Sequence, residues 1–106
     1  MSTKIEATQN DCLYDLNFTL QDADGVDFDL NQAVESRFKV QHEDDDELKI
    51  DIPMSPVEGS IVKHTVESSD FDRAGTYYAE IQVTINTGQI ITWSDIIIVV
   101  TPDLPK

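Results

Sequence analysis

Two acidic clusters, two histidines and one cysteine are the residues of this chain with the chemical reach for metal binding or nucleophilic catalysis. The run Glu43-Asp44-Asp45-Asp46-Glu47 invites a calcium reading. Calcium takes six to eight oxygens in a wrapped geometry, and an EF-hand loop alternates its acids around a glycine at the sixth position. This run has no glycine and no alternation, so its carboxylates point in different directions. It reads as a solvated loop at a hairpin tip. Asp22, Asp24, Asp27 and Asp29 form a second cluster. There the glycine comes too early and no bidentate glutamate follows at the required distance, so Asp22-Ala23-Asp24-Gly25 reads as a turn. His64 falls on the apolar side of its segment and reads as a satisfied, partly buried residue. His42 borders the acidic run. Cys12 has no Cys-x-x-Cys partner and no thiol-protease signature. Nothing places it beside a histidine, and catalysis needs nucleophile, base and orienting group in mutual reach. No phosphate-cradling glycine loop or zinc spacing occurs. The expectation is no catalysis, no cofactor and no specific metal.

The segments that would carry these residues alternate with a period of two, as half-buried strands require. Leu13 to Gln21 sets Tyr14, Leu16, Phe18 and Leu20 on one face. After the Asp22–Gly25 turn, Val26, Phe28 and Leu30 alternate with Asp27 and Asp29. Val34 to His42 sets Val34, Phe38 and Val40 on one face, and Leu48 to Ile52 forms a short strand. Pro53 and Pro56 suit an edge or a loop. Ser60 to Glu67 opposes Val62, His64 and Val66 to Lys63 and Thr65. Ser68 to Arg73 reads as a short turn of helix or a corner before the long strand. The long strand beginning Gly75-Thr76-Tyr77-Tyr78 then turns Tyr77, Ala79, Ile81, Val83 and Ile85 inward, and Tyr78, Glu80, Gln82 and Thr84 outward. Asn86-Thr87-Gly88 is a hairpin turn. Gln89 to Trp93 and Asp95 to Thr101 complete the set. Ile96 to Val100 is apolar without alternation, which suggests cover on both faces.

These seven to eight short strands with no long helix predict an all-β antiparallel sandwich. Gly75-Thr76-Tyr77-Tyr78 resembles the entry to strand F of an immunoglobulin-type sandwich, with Tyr77 as its corner tyrosine, which implies an immunoglobulin-like β-sandwich. Cys12 alone cannot form an internal disulfide. Residues 1–12 read as a flexible N-terminal segment, 13–101 as the sandwich and 102–106 as a tail. The 106 residues carry a net charge of -14, which repels nucleic acid backbone and anionic lipid. No apolar run approaches the ~20 residues of a membrane helix. The start of the chain has no basic-then-apolar pattern, so no signal peptide is expected.

Order and spacing add a resemblance. Leu16-Asn17-Phe18-Thr19-Leu20-Gln21-Asp22-Ala23-Asp24-Gly25 is followed by Phe28-Asp29-Leu30, Phe38-Lys39-Val40, an acidic loop, and Gly59-Ser60-Ile61-Val62. Then come Asp70-Phe71, Ala74-Gly75-Thr76-Tyr77-Tyr78-Ala79-Glu80-Ile81, Gly88-Gln89-Ile90-Ile91-Thr92-Trp93, and Ile96 to Val100. Residues 13–101 so read resemble the immunoglobulin-like N-terminal domain of siphophage baseplate upper proteins and related small phage structural proteins. The resemblance implies a non-enzymatic assembly role in a virion. Its partners would be other virion proteins, with self-association in many copies, and it supplies no catalytic residues. Tail, baseplate and head are all left open. Outward Tyr78, Trp93 beside its hairpin, and Ile97 and Val99 of the last strand are the expected contact residues, although Trp93 fits a core role equally. The rival expectation is a carbohydrate or cell-surface ligand module. It would use Trp93 and Tyr78 as an aromatic platform, with calcium held by the acidic loops.

Overall fold

In the computed structural model, which describes residues 3–22, 24–67 and 69–102, eight strands form two sheets. The strands are β1 (Thr3–Thr8), β2 (Asp15–Thr19), β3 (Ala33–His42), β4 (Ile50–Pro53), β5 (Ser55–Glu58), β6 (Ile61–Thr65), β7 (Gly75–Ile85) and β8 (Ile90–Thr101). A single 3-10 turn at Leu30–Gln32 precedes β3, with Asp29 accepting the Asn31 N–H at its start. One sheet has the order β1-β8-β7-β3-β4 and the other β2-β6-β5. This is the disulfide-free, immunoglobulin-like β-sandwich expected from the alternation.

The sheets meet through the apolar stripes of their inner faces. Leu16, Phe18 and Val62 of the small sheet oppose Phe38, Val40, Tyr77, Ile81, Ile96 and Ile98 of the large one, all buried. The Phe18 and Phe38 rings lie 5.6 Å apart across the interface. Burying such side chains contributes about 1.5–3 kcal/mol each, so these stripes, not the loops, hold the layers together.

Four local readings are corrected. Residues 3–8, expected to be loose, form β1, which pairs in parallel with Ile96–Thr101 of β8. The large sheet is therefore mixed. Val26 to Leu30 is no strand but a single bridge, Gln21 with Asp27, followed by the 3-10 turn. Val34 is exposed, because an irregularity between Ala33 and Glu35 shifts the pairing and rotates it off the core face. Finally, Gln89 to Trp93 and Asp95 to Thr101 are one strand interrupted by a bulge. Ala79 pairs with Ile96 and Ile81 with Trp93, so Ser94 and Asp95 together oppose Glu80. The inserted residue changes the phase of the alternation. Ile96, Ile98 and Val100 are buried, while Ile97 faces outward at 36% exposure. The tail expected at 102–106 lies, from residue 103 on, outside the described residues.

The turn readings stand. Asp22 accepts the Asp24 and Val26 N–H groups through its side chain, and Gly25 has φ +81°. Gly88 closes the β7–β8 hairpin with its N–H on the Ile85 carbonyl. Pro56 sits in edge strand β5, where a missing N–H is tolerated.

Candidate functional site

Three places concentrate polar or exposed chemistry, and each is built by a different pair of elements. The first is the corner where the chain enters β7. Tyr77 is buried and its hydroxyl donates to the Arg73 carbonyl at 2.6 Å. This is the corner tyrosine of immunoglobulin-type sandwiches, four residues from its acceptor. Burial pushes its phenol above the ordinary value of 10.0. His42, at the end of β3, packs edge-on against the Tyr77 ring at 4.7 Å. The His42 Nε2–H donates to the Ala74 carbonyl at 3.1 Å. Its Nδ1 accepts from the Asp44 N–H at 3.1 Å and from the Arg73 guanidinium at 2.9 Å. Those donors fix the Nε2-protonated tautomer.

Arg73 also reaches Asp45 at 3.1 Å and Asp44 at 3.4 Å. Glu43 accepts the Thr76 N–H and donates its own N–H to the Thr76 carbonyl. The first half of the acidic run is thus not a free hairpin tip; it is tied to the corner. Gly75 explains how closely the two approach. A Cβ there would stand 2.6 Å from His42 Nε2, and its φ of +132° suits glycine alone. Every polar group of this corner is spent on backbone or on a charge partner. Such an arrangement clamps two loops and offers no free base.

The second place lies inside the small sheet. His64 Nε2 donates to Asp70 Oδ2 at 2.7 Å, and the same oxygen accepts the Glu67 N–H at 2.9 Å. Both side chains are buried, and the His64 ring stacks obliquely on Phe38 at 5.2 Å. The reading of His64 as a satisfied buried residue is correct; its partner Asp70, six residues on, carried no sequence signal. Burial first, then the charges of Asp11, Asp70 and Cys12, raises the Tyr14 phenol above 10.0. Its hydroxyl is buried and has no hydrogen-bond partner among the described residues. A histidine and aspartate in contact resemble a base and its orienting group. No hydrogen bond joins Cys12 to either histidine among the described residues. Among the described residues, no three of His, Cys, Asp and Glu converge as a ligand set for a metal.

The third place is the outer face of the large sheet. Register places Ile97, Tyr78 and Gln41 in one row across β8, β7 and β3, and Glu80 opposite Lys39 in the next. Together with Leu48 and Asp95 they line an open groove of about 590 Å³. Its floor is apolar for a sheet exterior: Tyr78 is 55% exposed, Leu48 46% and Ile97 36%. Val99 is half-buried beside Ile97. Asp95 takes a left-handed backbone, φ +63°, at the bulge. Bulges re-aim side chains next to functional sites, and this one leaves the Asp95 carboxylate lining the groove.

Of the expected contact residues, Tyr78 and Ile97 meet here, with Val99 beside them. Trp93 does not. It is 8% exposed, packs edge-on against Phe28 at 5.1 Å and donates its indole N–H to the Gln21 carbonyl at 2.7 Å. The bulge is the reason: it turns Trp93 and Ile96 to the same inner face although three positions separate them. Leu48, Lys39 and Asp95 were not singled out by sequence reasoning. Leu48 begins a short strand in the alternation, whereas pairing begins only at Ile50, which leaves it outside on the groove wall.

No family model matches the chain, and no curated protein does. Among solved structures the chain is similar to CopC from Methylosinus trichosporium OB3b, with a TM-score of 0.60 at 13% sequence identity. The match covers 99% of this chain and 90% of that one. Likeness at this identity is a likeness of fold.

Proposed function

We propose that this chain is a non-enzymatic docking module, a structural component of a phage or prophage virion that binds neighbouring virion proteins in many copies. The observation that carries the docking role is the group of exposed apolar side chains, Tyr78 and Ile97 with Leu48 beside them, that lines an open groove on the outer face of the large sheet. Exposed aromatic and aliphatic clusters of this kind serve as contact anchors, and repeated copies turn weak contacts into avidity. The virion assignment rests on the ordered motifs of residues 13–101 and their resemblance to phage structural domains. The non-enzymatic reading rests on His42, whose two ring nitrogens are engaged at the corner, and on His64, whose Nε2 is held by Asp70. The carbohydrate-binding alternative is not favoured, because Trp93, its main platform, is in the core.

The test uses particles of the phage or prophage that encodes the chain. The protein should band with purified virions, and benzoylphenylalanine placed at Ile97 should photo-crosslink to a virion protein. Absence from purified particles overturns the virion role. Crosslinks from other faces but none from Ile97 overturn the choice of face.

A further inference from the structure

The outer-face groove carries a charge pattern that names what it should hold. Tyr78 and Glu80 are neighbours on one face of β7, about 7 Å apart along the strand. Asp95 stands against Glu80 at the bulge. Among the described residues, no hydrogen bond or ion pair engages the Tyr78 hydroxyl, the Glu80 carboxylate or the Asp95 carboxylate. This contrasts with the acids at the corner, where Asp44 and Asp45 are held by Arg73. Glu43 adds a third acid to the lining and Lys39 is the single cationic member. Lys4, in register with Ile97 from β1, is already 3.8 Å from Glu6. The groove is therefore an apolar floor under a net negative rim, on a protein of charge -14.

We propose that this groove receives an arginine side chain presented by a partner protein. The inference rests on the docking face proposed above and adds the partner's chemistry. A guanidinium over the Tyr78 ring gains a cation–π contact, and its planar fork matches a carboxylate in bidentate fashion. The arginine stem lies along Ile97 and Leu48, where its methylenes remove apolar surface from water. The strongly negative field of the whole chain draws such a partner in and makes the encounter salt-dependent. A partner anion gains none of this and meets three carboxylates.

The probe is a short acetylated peptide alternating arginine with valine, and its isostere carrying citrulline in place of arginine. Binding to the full chain is followed by fluorescence anisotropy at low and at high salt. The arginine peptide should bind and weaken with salt; the citrulline peptide should not bind. Combining Glu80→Gln with Asp95→Asn should weaken binding by about tenfold or more, the scale of a close charge pair. Tyr78→Leu, which keeps the floor apolar, should weaken it several-fold. A charge-matched control, Asp11→Asn with Asp24→Asn, should leave it nearly unchanged. Circular dichroism confirms that each variant is folded. Equal losses in the groove and control variants, or equal binding of the two peptides, overturn the proposal. If Ile97 crosslinks in the virion while the arginine peptide fails, the face docks and the partner's chemistry is another.

Discussion

Replacing Gly75 with alanine tests the corner that sets the direction of β7. Two costs arise from the structure. An alanine at φ +132° sits outside its allowed regions, at about 1–3 kcal/mol. Its Cβ would also stand 2.6 Å from His42 Nε2 and 3.2 Å from Glu43 Oε2. The His42 ring is buried and cannot swing into solvent, so it must shift and lengthen its bond to the Ala74 carbonyl, worth about 1 kcal/mol. The expected loss is therefore about 2–4 kcal/mol. At ~2.1 cal/mol/K for each of 106 residues, the unfolding entropy is ~0.22 kcal/mol/K, so the midpoint should fall by roughly 10–18 °C. Thermal and urea unfolding followed by circular dichroism measure both. A cycle with His42→Ala separates the two costs: the clash component disappears without the ring, while the backbone component remains. A loss below about 1 kcal/mol would refute the account of the corner. An equal penalty in both backgrounds would assign everything to φ and remove the steric argument.

Two further outcomes follow from buried groups. Asp70→Ala leaves both the His64 Nε2–H and the Glu67 N–H without their acceptor. At about 1–3 kcal/mol for each unsatisfied donor, the urea-derived stability should drop by about 3 kcal/mol; a variant as stable as the parent would show that the pair is replaceable by water. The folded state raises the Tyr77 phenol above 10.0, so it binds that proton more tightly than the unfolded chain does. The contribution is intact below pH 10 and is lost as pH rises through 10 toward the folded value. Urea midpoints between about pH 9 and about pH 11 should therefore fall more steeply for the parent than for Tyr77→Phe. Parallel slopes would place the alkaline loss elsewhere.

What was legible in the chain is what period two can encode. Leu16, Phe18, Val62, Ile81 and Val83 each sit where alternation puts them, because a strand with one buried face has no other register that hides its apolar set. Tyr77 was legible for the added reason that a glycine and a corner leave it one direction to point. The failures share a different cause: each depends on an insertion or a partner distant in sequence. Thr3–Thr8 has little apolar content and becomes a strand only because β8, some ninety positions away, offers an edge. Left unpaired, the Ile96–Val100 segment would be an aggregation-prone edge, so β1 protects the chain as much as it extends the sheet. Ser94 and Asp95 add one residue to the ladder, and that residue alone decides that Trp93 is core while Ile97 is surface. The same bulge brings Asp95 to Glu80. The structural feature that defeats the alternation is therefore also the one that adds Asp95 to the acids of the groove. A deletion restoring strict alternation should remove the positive-φ position at Asp95 and weaken binding of the arginine peptide in the same anisotropy assay, and undiminished binding would show that the bulge has no part in the proposed contact.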